Sequence, residues 1–139
     1  MTVRAVRLAL STLNIARLLW VAIALTCGFL AQAADPSPVV RDEIQHLLAY
    51  LEGSGCQFFR NGEWHDAVEA KDHLNQKYNY LLKRDMVRTA EDFVRLGATK
   101  SSASGKPYQV RCNGTRPVPS ALWLSDELSH YREQRRVKK

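Results

Sequence analysis

Cys56 and Cys112 constrain this chain more than any other feature, because a bond between them would tie its two halves together and limit how every segment between them can run. On the chain-entropy estimate, closing a loop of that size disfavours the unfolded chain by roughly 4 kcal/mol. Whether the bond forms depends on the compartment, and the N-terminal residues speak to that. Arg4, Arg7 and Arg17 precede the apolar run Leu18 to Leu30, and Ala31-Gln32-Ala33 follows it. A charged start, an apolar stretch and a small-x-small site, in that order, are the pattern of a secretory signal peptide. Residues 1–33 are therefore expected to be removed by a cut after Ala33, taking Cys27 with them and leaving a periplasmic or secreted chain with no membrane span. Disulfides form and persist in such compartments, so one Cys56–Cys112 bridge is expected. Two other readings of the leader are weaker. An anchor over Leu18 to Ala34 is just long enough to cross a bilayer but ends in small, weakly apolar residues, and acylation of Cys27 is opposed by the bulk of Thr26 beside it.

What remains after the leader, about 106 residues, makes one domain small enough for burial alone to leave it marginal. The formal charge of +6 is in good part a leader effect, since three cations and no acids precede Ala34. Arg132, Arg135, Arg136, Lys138 and Lys139 crowd the end of the chain against Glu133 alone. They read as a basic, solvated tail over residues 132–139, following a single domain over 34–131. The body between is near neutral and has no basic, aromatic-interleaved face, so nucleic acid is not an expected partner.

Hydrophobic spacing and turn residues divide the domain. Ser37-Pro38 is a helix start, and Val40, Ile44, Leu47, Leu48 and Leu51 form one apolar face until Gly53-Ser54-Gly55. Cys56 to Arg60 and Glu63 to His65 flank Asn61-Gly62, a strong hairpin signal because both turn residues tolerate positive φ. Asp66 and Glu69 read as a capping box for a second helix with Val68, Leu74, Tyr78, Leu81 and Leu82 inward, running to about Arg84. Thr89 and Asp92 cap a third helix carrying Ala90, Phe93, Val94 and Leu96 and closed by Gly97. Order is expected to loosen over Ala98 to Gly105. Tyr108 to Cys112 reads as a strand, Asn113-Gly114 as a turn, and Ser120 as the cap of a fourth helix carrying Leu122, Trp123, Leu128 and Tyr131. A Cys56–Cys112 bond would set the strand beside the hairpin, giving an α+β fold: mostly helical, about four helices, with a small antiparallel sheet stapled by one disulfide.

The segment from Thr99 to Tyr108 concentrates hydroxyls, two ammonium groups and a glycine beside an aromatic ring. It is not a phosphate-binding P-loop: the spacing of Gly97 and Gly105 is wrong, Pro107 follows Lys106, and a strand rather than a helix comes next. Nor does any of its serines have a lysine three positions on, as an S-x-x-K acylase requires. What it suits is recognition, with Lys100, Ser101, Ser102, Ser104, Gly105 and Lys106 offering polar contacts to a carboxylate, phosphate or sugar and Tyr108 a flat face; a plain solvated connection is the alternative. His73 and Lys77, one helical turn apart, offer a second polar cluster with Arg60 from the hairpin; the alternative is a half-buried His73 satisfied by a backbone carbonyl. His46, His65, His73 and His130 are scattered and show no metal-ligand spacing, so neither a metal nor another cofactor is implied. The carboxylate pairs Glu69/Asp72 and Glu91/Asp92 stand at helix starts, where they favour the helix dipole.

Arg60-Asn61-Gly62, His73-Leu74 with Lys77, Thr89-Ala90-Glu91-x-Phe93 and Ser101-Ser102-x-Ser104-Gly105-Lys106-Pro107-Tyr108, in that order, resemble the YfeK-like family of small exported proteobacterial proteins, a domain of unknown function. The resemblance covers roughly residues 40–125. It implies a bacterial envelope setting and includes the polar loop, but carries no activity. The functional expectation is a periplasmic, non-enzymatic binding or accessory protein of the cell envelope using Arg60, His73, Lys77 and the 99–108 loop. The alternatives are an inhibitor or immunity protein that inserts the loop into an envelope hydrolase and, more remotely, a serine hydrolase acting through Ser101, Ser102 or Ser104, for which no positioned base is evident.

Overall fold

The computed structural model describes residues 35–138; the leader, its cleavage site and Cys27 lie outside them. Helix α1, Pro38–Gly53, starts where Ser37 Oγ accepts the Val40 N–H at 3.3 Å, with proline in the first turn, where its missing N–H costs nothing. Its face of Ile44, Leu47, Leu48 and Leu51 is buried as the spacing requires. Strands β1, Gln57–Arg60, and β2, Glu63–His65, form the hairpin, paired Arg60 to Glu63 and Phe59 to Trp64. Asn61 at φ 55° and Gly62 at φ 106° supply the two left-handed turn residues that let the right-handed twist of the strands match.

Helix α2, Ala67–Leu82, is capped by the Asp66 carboxylate, which accepts the Glu69 N–H at 2.9 Å. The reciprocal half of the expected capping box is missing, because the Glu69 carboxylate pairs with His65 Nδ1 at 3.0 Å instead. Val68 faces solvent rather than the core; Ala67, Leu74, Tyr78 and Leu81 make the buried face. Helix α3, Ala90–Gly97, has the full box: Thr89 Oγ1 accepts the Asp92 N–H, and the Asp92 carboxylate accepts the Thr89 N–H. Gly97 does more than end it. A Cβ there would stand 3.1 Å from Leu74 Cδ1, so the glycine permits α3 to lie close against α2.

Strand β3, Gln109–Arg111, pairs with β1 as Gln57 to Arg111 and Phe58 to Val110. That register sets Cys56 against Cys112, which are disulfide-bonded with their Cα atoms 4.3 Å apart. Strand β4, Val118–Pro119, completes an antiparallel sheet of order β2-β1-β3-β4. Helix α4 spans Ser120–Val137 and buries Leu124 and Leu128, while Leu122, expected inside, is exposed. The fold is thus α+β, with four helices and one four-stranded antiparallel sheet among the described residues. Its core joins Ile44 and Leu47 of α1, Phe93 of α3, Val110 of β3 and Leu124 of α4.

Two segments differ from expectation. The polar stretch before Tyr108 is an ordered turn: Lys100 and Pro107 form an antiparallel bridge, and the Ser101 N–H donates to the Lys106 carbonyl at 3.0 Å. The basic residues after Tyr131 continue α4 rather than leaving it. Arg132 clasps the buried Glu43 carboxylate through Nε and Nη2, at 2.7 and 2.8 Å, and also bonds Glu91. Arg135 pairs with Asp42, which also accepts the Tyr131 hydroxyl at 2.8 Å. Acids on α1 and α3 thereby neutralise charges that look unopposed in the linear sequence.

Candidate functional site

Tyr108 is the centre of the site. Its backbone is pinned on both sides, its N–H donating to the Thr99 carbonyl at 3.0 Å and its carbonyl accepting the Ser120 N–H at 3.1 Å. The ring is nearly buried, and its hydroxyl lies 3.1 Å from His73 Nε2. One turn further along α2, the Lys77 ammonium sits 5.0 Å from the centre of the same ring and donates to the Lys100 carbonyl at 3.0 Å. Arg60, at the end of β1, joins His65, His73 and Tyr108 around a cavity of about 40 Å³ whose wall is otherwise almost wholly apolar, with Phe58 and Leu124 among its residues. Ser120 also lines it, and its buried hydroxyl has no hydrogen-bond partner among the described residues.

The electrostatics follow from this crowding. Burial, then the positive charges of Arg60 and Lys77, push the His73 imidazole down to about 4, so it is neutral at pH 7 and shares one proton with the Tyr108 hydroxyl. Burial lowers Lys77 as well. It raises the Tyr108 phenol, with the Ser101 hydroxyl and Arg60 acting in the opposite direction. Among the described residues neither Arg60, Lys77, Lys100 nor Lys106 has a carboxylate partner, whereas Arg132 and Arg135 on α4 both do.

The structure divides the expected site residues into two groups. Arg60, His73, Lys77 and Tyr108 converge. In the loop, Ser101 is buried and spends its hydroxyl accepting the Ala103 and Ser104 N–H groups at 3.3 and 3.2 Å. Ser104 Oγ donates to Asn61 Oδ1 at 2.7 Å, fastening the loop to the hairpin turn, and Gly105 at φ 70° takes the left-handed position that closes it. Lys100, Ser102 and Lys106 are exposed on the outer side of that turn. His65 and Ser120 were not singled out in the sequence. Ser120 reads there as a cap, but Pro119 takes that position and Ser120 becomes the first helical residue. Among the described residues no three His, Cys, Asp or Glu side chains gather into a metal site, and no helix is long and apolar enough to cross a membrane.

A sequence profile for a family of unknown function, DUF5329, matches residues 38–132. The chain belongs to this family. The matched span begins at the first turn of α1 and ends at Arg132, so the family's domain takes in the site and the α4 clamp alike. An uncharacterized protein, YfeK, of Salmonella typhimurium is 42% identical over 62 residues, which is 45% of this chain and 50% of the relative, so the match spans about half of that protein's length. The expected likeness to YfeK-like proteins is thereby established. No solved structure matches the chain.

Proposed function

We propose that this chain is a non-enzymatic binding protein of the bacterial cell envelope, whose ligand is held at Arg60, His73, Lys77 and Tyr108 with the 99–108 turn as an ordered rim. The observation that carries this reading is that Arg60, without a carboxylate partner among the described residues, meets His73 and Tyr108 on the wall of an otherwise apolar cavity, with Lys77, likewise without one, over the Tyr108 ring. An anionic group there would meet a guanidinium that no described carboxylate neutralises. The leader pattern and the disulfide support the envelope setting, because a bridge of this kind persists where thiols are oxidised. The fate of the hydroxyls supports a binding role over hydrolysis: Ser101 and Ser104 are committed to the turn, and the one histidine beside it, His73, is engaged by Tyr108.

The test uses the full chain expressed in a Gram-negative host. It is expected in the periplasmic fraction with Ala34 as its first residue, and low-molecular-weight or sacculus fractions of the envelope should raise its melting temperature by several degrees, since a ligand that binds only the folded state stabilises it. In an Arg60→Gln/Lys77→Gln variant that rise should vanish while the unliganded melting temperature moves little. Retention in the cytoplasm refutes the location; equal shifts in both proteins, or none, refute the site.

A further inference from the structure

Resting on that reading, we infer that the recognised ligand is a carboxylate borne on a compact apolar group, the carboxylate paired with Arg60 and the apolar group entering the cavity that Arg60 lines with Tyr108. Size sets the apolar part. A cavity of about 40 Å³ has room for about three water molecules, or the bulk of a branched group of about four carbons. A long acyl chain or a sugar ring is too large for it. Apart from Arg60, His65, His73 and Tyr108 the wall is almost wholly apolar, and the Ser120 hydroxyl is buried without a partner among the described residues.

Charge sets the other end. Among the groups that line the cavity Arg60 supplies the fixed cation, because His73 is neutral and occupied by Tyr108, while the Lys77 ammonium stands over the Tyr108 ring and donates to the Lys100 carbonyl. A guanidinium fork matches the two oxygens and single charge of one carboxylate, whereas a phosphate would leave an oxygen and part of its charge without a donor. No described carboxylate competes for Arg60. The same chemistry belongs to a free short branched acid and to the C-terminal residue of a peptide, and two ligand sets tell them apart.

Titration calorimetry of the folded full chain purified from the periplasm, at pH 7 and moderate salt, would use 4-methylpentanoate, acetate, inorganic phosphate and 4-methylpentan-1-ol, together with a tripeptide ending in leucine as the free acid and as the amide. The branched acid or the free-acid peptide should bind at least ten-fold more tightly than acetate, phosphate, the alcohol or the amide. Binding of the free acid alone marks a small-molecule ligand; binding of the peptide marks a chain terminus. Arg60→Gln should weaken the acid at least ten-fold and leave the alcohol unaffected, and Ser120→Ala, which removes a buried orphan hydroxyl, should fold and keep the charge preference. Acetate or phosphate binding as tightly as the branched acid, or the alcohol matching it, overturns the inference. If none of these compounds binds while an envelope fraction still stabilises the wild type and not the Arg60→Gln/Lys77→Gln variant, the ligand class falls and the binding reading stands.

Discussion

Replacing Arg132 with alanine should cost this domain about 3 kcal/mol, although the residue lies where the linear sequence suggests a disposable tail. Glu43 is 6% exposed, and both of its carboxylate oxygens accept bonds from Arg132, at 2.7 and 2.8 Å. Breaking a buried pair from one side typically costs about 3–5 kcal/mol, because the remaining charge stays buried without a partner. The Arg132 side chain is 36% exposed, so water can reach part of the gap and the lower end of that range applies. Glu91, the second partner, has a 58% exposed side chain, and Glu91→Gln should cost less than about 1 kcal/mol. Urea unfolding reads the difference directly: with a slope of about 1–3 kcal/mol per molar, Arg132→Ala should lower the midpoint by about 1 M or more. Glu43→Gln/Arg132→Met, which removes both charges, should recover a large part of the loss. A loss below about 1 kcal/mol for Arg132→Ala, or an equal loss for Glu91→Gln, would show that the clasp is not what holds α4 to α1. Ending the chain at Tyr131 should destabilise it as Arg132→Ala does.

Three other outcomes are expected. Serine at both Cys56 and Cys112 should lower stability by roughly 4 kcal/mol, measured by denaturant unfolding against the oxidised wild type, and an effect under about 1 kcal/mol would contradict the loop-entropy argument. His73 is held neutral in the fold and takes up a proton more readily when unfolded, so stability should fall as pH drops from the ordinary value of 6.5 towards about 4 and level off below that. Allowing for the imidazole's partial contact with water, the loss between pH 7 and 5 is about 1 kcal/mol, and the same melts on His73→Gln should lack that component. Gly97→Ala should destabilise by about 1 kcal/mol despite the better helix propensity of alanine, because its Cβ would crowd Leu74; a more stable variant would mean that α2 yields without cost.

What could be read from the sequence was mostly local. The Ser37-Pro38 start, the Asn61-Gly62 turn and the Thr89/Asp92 box each act within four residues, and all three are present. The cysteine pair carried the one long-range reading, and the β1–β3 register agrees with it. Misreadings arose where a distant partner decided the outcome. Glu69 left its own helix for His65, and Ser120 gave its N–H to the carbonyl of Tyr108 and ended as a cavity residue rather than a cap. The 99–108 stretch is ordered by Asn61, which belongs to the hairpin turn. On α4, the expected stripe included Leu122, whereas the buried face is set by Leu124 and Leu128. The site was half legible: Arg60, His73, Lys77 and Tyr108 carry chemistry that draws notice, while the cavity beneath them is a product of packing that no motif announces.

The clasp between α1 and α4 also governs when the domain can close. Glu43 and Arg132 stand 89 residues apart, and His46, whose ring stacks on Tyr131, meets Glu127 across 81. A chain delivered to solution from its N-terminal side therefore holds α1, the hairpin, α2 and α3 before the helix that seals them exists. Leu124 and Leu128 complete the core only afterwards, and the charge on Glu43 is met later still. Contacts of such separation slow closure. Vectorial emergence thus keeps this sequence pliable for most of its length, and the final turns of α4 act as the latch.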